Sequence, residues 1–325
     1  MRNLLFLCLI LGLILGLLTG CNTSARTAGE DTPAQNPPTL SLANAQTLPA
    51  ALRIPLSRQH GYLFVNGQVN GKRAGLMLFD TGSTLTIVDR GVANRMNLPE
   101  DGEGRTVGVA GTASFGFRRV DSMAIAGLDL GIERVASLSM YKLTRGFRMN
   151  PGGLIGFTAL SDYPFTIDYQ RSEIVLYRPD AFTPPPNAPR FRLHSFRGLP
   201  AVIATLGGGQ EVLLIIDTGA DNALTLPDQC AQMPGVLGVS TTGRGVSHGV
   251  GGNVHTVQGY LKHLDIFGLR LNGLPVTFEP PPTGLTSNQY PVGRIGGDLI
   301  ESFRLTYDMR HRAIWAQFVP DSSDQ

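Results

Sequence analysis

From residue 52 onward the chain is a succession of short apolar runs broken by glycine turns, with few stretches at helical period. Tyr62–Val69 and Arg73–Phe79 are two such runs. Asn70-Gly71 between them is the dipeptide that closes a two-residue hairpin. Glu173–Tyr177 and Ala313–Phe318 read as closing strands. Only Asp89–Met96 and Pro227–Met233 carry a short-helix pattern, so the chain is expected to be mostly β.

The runs also repeat. Phe79-Asp80-Thr81-Gly82-Ser83 returns as Ile216-Asp217-Thr218-Gly219-Ala220, each after an apolar run. Gly61 and Gly198 lie 19 residues before the two aspartates. Leu154-Ile155-Gly156 and Arg294-Ile295-Gly296 follow, then Phe165-Thr166-Ile167-Asp168 and Leu305-Thr306-Tyr307-Asp308. Met123–Leu128 echoes Leu264–Leu269 between them. Landmarks in one order, twice, mean two copies of one fold unit. The boundaries read as 52–178 and 190–319, with a Pro-rich linker at 179–189 and a tail at 320–325.

The N-terminus breaks this pattern. Leu4–Leu18 is almost wholly apolar behind Arg2, too short for a comfortable membrane span. Residues 1–20 therefore read as a targeting segment, with an ordinary signal peptide or a spanning helix as alternatives. Leu18-Thr19-Gly20-Cys21 resembles a bacterial lipobox, which implies lipidation of Cys21. By resemblance to Gram-negative lipoproteins, Asn22 favours the outer membrane, with the protein facing the periplasm. Residues 21–51, rich in Thr, Ala, Asn, Gln and Pro, bury little and read as a flexible tether.

Composition narrows the function classes. Hydrophobic residues at 42% suffice for a sizeable core, and 40 Gly with 22 Pro suit a loop-rich β protein. A formal charge of +2 argues against nucleic acid as a partner. Of three cysteines, Cys8 lies in the expected targeting segment and Cys21 is the one the lipobox resemblance would have lipidated. Cys230 remains, expected as a small buried hydrophobe without a disulfide.

Two carboxylates delivered into tight glycine turns are suited to one chemistry. Held together, they cannot both ionise easily and share one proton. One can then take a proton from water while the other polarises a carbonyl, without metal or cofactor. Gly82 and Gly219 permit close backbone approach and offer amide donors. Thr81 and Thr218 can bond across to the opposite copy.

On these motifs the chain resembles the aspartic protease family, in its retropepsin-like and bacterial aspartyl protease branch, over nearly all of residues 52–318. The resemblance implies a bilobed β fold, a peptide or protein substrate, Asp80 and Asp217 as catalytic dyad, and Gly156 and Gly296 in supporting segments. It also implies a flap over the cleft in each half. The candidates are Val107–Gly111, with Gly108 and Gly111, and Gly249–Gly252, with Gly249 and Gly251. Neither flap has the tyrosine of pepsin-like enzymes. Ser83 brings a hydroxyl that can bond the dyad and Ala220 does not, so the carboxylates are expected to be inequivalent. Phe157–Leu160 lacks the Gly-Asp-Leu of residues 297–299.

Other candidates carry less. His248 and His255 flank the second flap, but no acidic or Cys partner stands at ligand spacing, so no metal is expected. Asp168 and Asp308 read as structural, Asp298 as a turn residue bonding backbone, and Trp315 as core. The leading reading is a monomeric, lipid-anchored aspartic endopeptidase with an internal pseudo-dimer. A catalytically inactive peptide- or envelope-binding lipoprotein of the same fold is the alternative. Pairing of halves between chains is the third.

Overall fold

A computed structural model describes residues 15–17, 48–108, 111–143, 150–239, 244–281 and 289–320. Cys21 and most of the targeting segment and tether lie outside these residues. Leu15–Leu17 forms a short strand on the edge of strand Glu100–Gly108.

The predicted hairpin forms from strands Tyr62–Val69 and Lys72–Asp80. Asn70 and Gly71 have φ of 50° and 70°, the left-handed pair that a tight hairpin turn needs. The sequence echo further on is a second matched turn. Ala126-Gly127 and Phe267-Gly268 both take positive φ.

Strand Lys72–Asp80 delivers Asp80 by a specific crossing. Strand Gly153–Gly156 lies parallel to it, with Gly156 opposite Asp80, and antiparallel to Ile87–Asp89. One strand thus sits between the two limbs of the Asp80 loop. The second copy repeats the arrangement. Strand Val292–Ile295 pairs parallel with Glu211–Ile216 and antiparallel with Leu224–Pro227.

The helical segments differ between copies. Helix Arg90–Arg95 is capped by Asp89, whose Oδ1 accepts from the amides of Gly91 and Val92. Its counterpart is a single 3-10 turn, Asp228–Gln232. Pro227 stands at that cap and offers no side-chain acceptor, so a longer helix is not nucleated there.

The lobes share a six-stranded antiparallel sheet. Its order is Arg190–Arg192, Ala313–Phe318, Phe303–Asp308, Phe165–Asp168, Glu173–Tyr177 and Ala51–Pro55, three strands from each copy. At its middle the duplicated threonines Thr166 and Thr306 face each other, their hydroxyls 2.7 Å apart. Phe165 stacks on Tyr307 at 4.7 Å. One apolar core runs through both lobes, from Phe79 and Phe157 to Ile216 and Leu305.

Ordered structure begins ahead of residue 52. Leu48 is already buried in this core, and strand pairing begins at Ala51. Phe182 in the Pro-rich linker packs its ring 5.2 Å from Tyr177 and 5.7 Å from Trp315. Trp315 is buried. Asp168 and Asp308 hold turns, accepting from the amides of Arg171 and His311, and Asp168 also accepts from Arg304 Nε at 2.7 Å. Asp298 departs from its expected role: its amide donates to the Asp221 carbonyl, while its carboxylate has no hydrogen bond among the described residues.

Candidate active site

The two Asp-Thr-Gly turns meet where the lobes join, and Asp80 and Asp217 are both fully buried. Each is held by its own turn. The Gly82 amide donates to Asp80 Oδ1 at 2.8 Å, and the Gly219 amide donates to Asp217 Oδ1 at 2.9 Å. Asp80 Oδ2 and Asp217 Oδ2 have no hydrogen-bond partner among the described residues outside the pair. The two carboxyls act directly on each other, and the partner's charge helps hold Asp80 protonated.

The glycines do more than their own turns require. A Cβ on Gly219 would lie 2.5 Å from the Asp80 carboxyl carbon. One on Gly82 would overlap the Asp217 carboxyl. The missing side chain of each copy makes room for the acid of the other.

The threonines tie the copies together. Thr81 Oγ1 donates to the Ile216 carbonyl at 2.6 Å and accepts from the Thr218 amide at 3.0 Å. Thr218 Oγ1 donates to the Phe79 carbonyl at 2.7 Å and accepts from the Thr81 amide at 3.0 Å. All four bonds are buried. Thr218→Val keeps the shape but orphans the Thr81 amide and the Phe79 carbonyl. Urea unfolding is expected to show a loss of roughly 1–3 kcal/mol per orphaned group. Thr218→Ser, which keeps the hydroxyl, is expected to stay near the parent.

Behind the turns, Gly156 and Gly296 let strands cross closely. A Cβ on Gly156 would lie 2.5 Å from the Leu85 carbonyl oxygen, and one on Gly296 would lie 2.9 Å from that of Ala220.

Ser83 does not support the dyad. Its hydroxyl donates to the Leu85 carbonyl at 2.9 Å and accepts from the Leu85 amide at 3.2 Å. The side chain is used up in shaping its own loop. In the second copy Asn222 bonds the corresponding limb, donating to Leu224 O and Thr225 Oγ1.

The carboxylates are inequivalent for another reason. Burial pushes Asp80 well above the usual carboxyl range, and the charge of Asp217 pushes further. Burial also raises Asp217, but the Arg294 guanidinium opposes it most strongly. Arg294 Nε lies 3.8 Å from Asp217 Oδ2, and its Nη2 donates to Glu279 Oε1 at 2.5 Å. Sequence reading passed over both residues. The available signal was a charged Arg294 in the apolar run where the first copy has Leu154.

Both predicted flaps are hairpins. Strands Glu100–Gly108 and Gly111–Arg119 form the first, with Val109 and Ala110 outside the described residues. Strands Arg244–Gly249 and Gly252–Ile266 form the second, with Val250 and Gly251 at its tip. The tips meet: a Cβ on Gly108 would overlap Val250. Val250 is buried among Tyr62, Phe64, Leu78 and Phe115 of the first lobe. Gly111, Gly251 and Gly252 take positive φ, as sharp reversals demand, while Gly249 does not. Cys230 is fully buried, which pushes its thiol up to about 11.

Two β lobes on a common sheet, each giving one aspartate to a buried pair, define the aspartic protease fold. A family model described as aspartyl protease matches residues 65–158 and 202–299. The chain belongs to the aspartyl protease family, with its repeated unit present twice. No curated protein matches the chain.

Proposed function

We propose that the protein is an aspartic endopeptidase whose single site is formed by Asp80 and Asp217. The observation that carries the reading is the buried carboxyl pair, gripped symmetrically by its turns and left with one unbonded oxygen on each acid. The ionised carboxylate takes a proton from water, and the resulting hydroxide adds to the peptide carbonyl carbon. The protonated carboxyl gives its proton to the carbonyl oxygen. The tetrahedral diol collapses as its proton returns to one aspartate and the other protonates the leaving amine. The C–N bond breaks and the dyad recovers its single proton.

Flap hairpins whose tips meet suit an extended peptide that enters when they part. The lipobox reading places this activity in the bacterial envelope, with the protein tethered through lipid on Cys21.

Incubation with a mixed peptide library at graded pH tests the assignment. Cleavage is expected to favour acidic pH. It is expected to fall as pH rises through the raised value of Asp80, because the shared proton is then lost. A statine-type mimic of the diol is expected to block it. A folded protein that binds library peptides and cleaves none across this range would instead be a peptide-binding protein on the same fold.

A further inference from the structure

The second copy departs from the first at one place behind the dyad. In the first lobe Ile87, Leu138 and Leu154 pack in a single apolar cluster. Strand register matches them with Thr225, Glu279 and Arg294. Leu154 lies across from Ile87, and Arg294 across from Thr225. Ala136 pairs with Ile87 and Thr277 with Thr225, two residues before Leu138 and Glu279 respectively. An ion pair therefore stands where the other copy has two leucines.

The pair is deeply placed. Arg294 and Glu279 are each 4% exposed. Arg294 Nε and Asp217 Oδ2, 3.8 Å apart, have no hydrogen-bond partners among the described residues, and neither does Glu279 Oε2. A buried ion pair is seldom more stabilising than apolar residues of the same volume. Stability is thus a weak reason for this one, and its position against one aspartate supplies a better reason.

We infer that the Arg294–Glu279 pair is a positioning device that keeps Asp217 as the carboxylate and places the shared proton on Asp80. This rests on the proposed hydrolytic reading for the roles of base and acid. Among the described residues, Asp80, Arg294, Glu279 and Tyr169 are coupled electrostatically to Asp217. Burial pushes the Tyr169 phenol up, so it stays neutral. Arg294 is the one cation among them. Its guanidinium favours ionisation of both acids, but it is the strongest influence opposing burial at Asp217 and the least of those acting on Asp80, and Leu154 offers Asp80 nothing equivalent. Glu279 aligns the guanidinium and is itself raised by burial. Asp217 then abstracts the proton from water, and Asp80 donates to the carbonyl oxygen.

The test installs the first lobe's leucines in the second, as Arg294→Leu with Glu279→Leu in the full chain. Removing both avoids leaving one buried charge alone. The acidic limb of the kcat/KM profile is expected to rise by about one pH unit or more. Arg294→Lys, with Glu279 kept, is expected to hold that limb near the parent. A folded double variant with an unmoved acidic limb overturns the inference.

A second measurement does not depend on activity. With 13C-labelled aspartate carboxyls in the full chain, assigned through single Asp→Asn variants, Asp80 is expected to titrate at higher pH than Asp217. The separation is expected to shrink in the double leucine variant. A parent that carries its proton on Asp217 overturns the inference. If the parent cleaves no peptide, the endopeptidase reading falls and this titration alone decides where the proton sits.

Discussion

Asp80→Asn is expected to abolish turnover and, in the same molecule, to raise thermal stability at neutral pH. The first effect follows from proton transfer. Asparagine can neither give nor take the proton, and general acid–base groups each contribute about 10²–10⁴-fold. On the proposed mechanism the two aspartates work as one unit, so Asp217→Asn is expected to lose as much. The double variant is expected to be little worse than either single one.

The second effect follows from burial. Asp80 is raised well above an ordinary carboxyl, so the folded state binds its proton more tightly than the unfolded chain. That stabilisation is complete below the unfolded carboxyl range and is lost as pH climbs to the raised value. Asparagine resembles the protonated acid and does not suffer the loss. The gain in Tm is expected to grow from pH 4 towards neutrality. In Asp217→Asn it is expected to be smaller, because removing that carboxylate also leaves Arg294 with Glu279 alone. Calorimetry and a peptide-cleavage assay on the same preparations read both. Retained turnover in either single variant rules out a one-dyad site.

Gly82→Ala is expected to be nearly as damaging, although it removes no functional group. Its methyl would occupy the space of the Asp217 carboxyl, which cannot retreat from a closely packed lobe junction. Overpacking of this kind costs about 1–3 kcal/mol. A carboxyl displaced by about 1 Å loses on the order of 10²-fold in rate. Gly219→Ala is expected to do the same to Asp80. Gly116→Ala is the control, since an added methyl there meets nothing closer than the Gly102 carbonyl at 4.0 Å. Unfolding midpoints and kcat measured together separate a general loss of folding from a local loss of geometry.

Much of the scaffold was legible beforehand because its signals are local. Asn70-Gly71 specifies a hairpin through the φ it tolerates, and Glu173–Tyr177 and Ala313–Phe318 emerge as strands at those bounds. The duplication was legible because two copies of one unit repeat their turn residues in order. Helix Arg90–Arg95 was legible through its cap at Asp89. Its partner shrank to a 3-10 turn, an outcome set by Pro227 at the same cap.

What escaped reading depends on which way a side chain points. Ser83 carries a hydroxyl directly after Gly82, whose amide bonds Asp80, and nothing in the chain order says that it bonds Leu85 instead. Arg294 and Glu279 are 15 residues apart and become neighbours only through a parallel and an antiparallel pairing with strand Leu224–Pro227.

Asp80 and Asp217 could be named from the chain alone, since a duplicated strand-turn motif requires its own residues wherever it folds. So could the exchange between Thr81 and Thr218, because a two-fold repeat makes identical groups reciprocal. The folded molecule added the departures from that symmetry. It filled the empty face of each glycine with the opposite copy's acid, set Val250 into the first lobe, and put a cation beside one aspartate and a leucine behind the other. These are contacts between segments far apart in sequence. Only packing at the lobe junction brings them together, and the low dielectric there gives a single guanidinium its leverage over a shared proton.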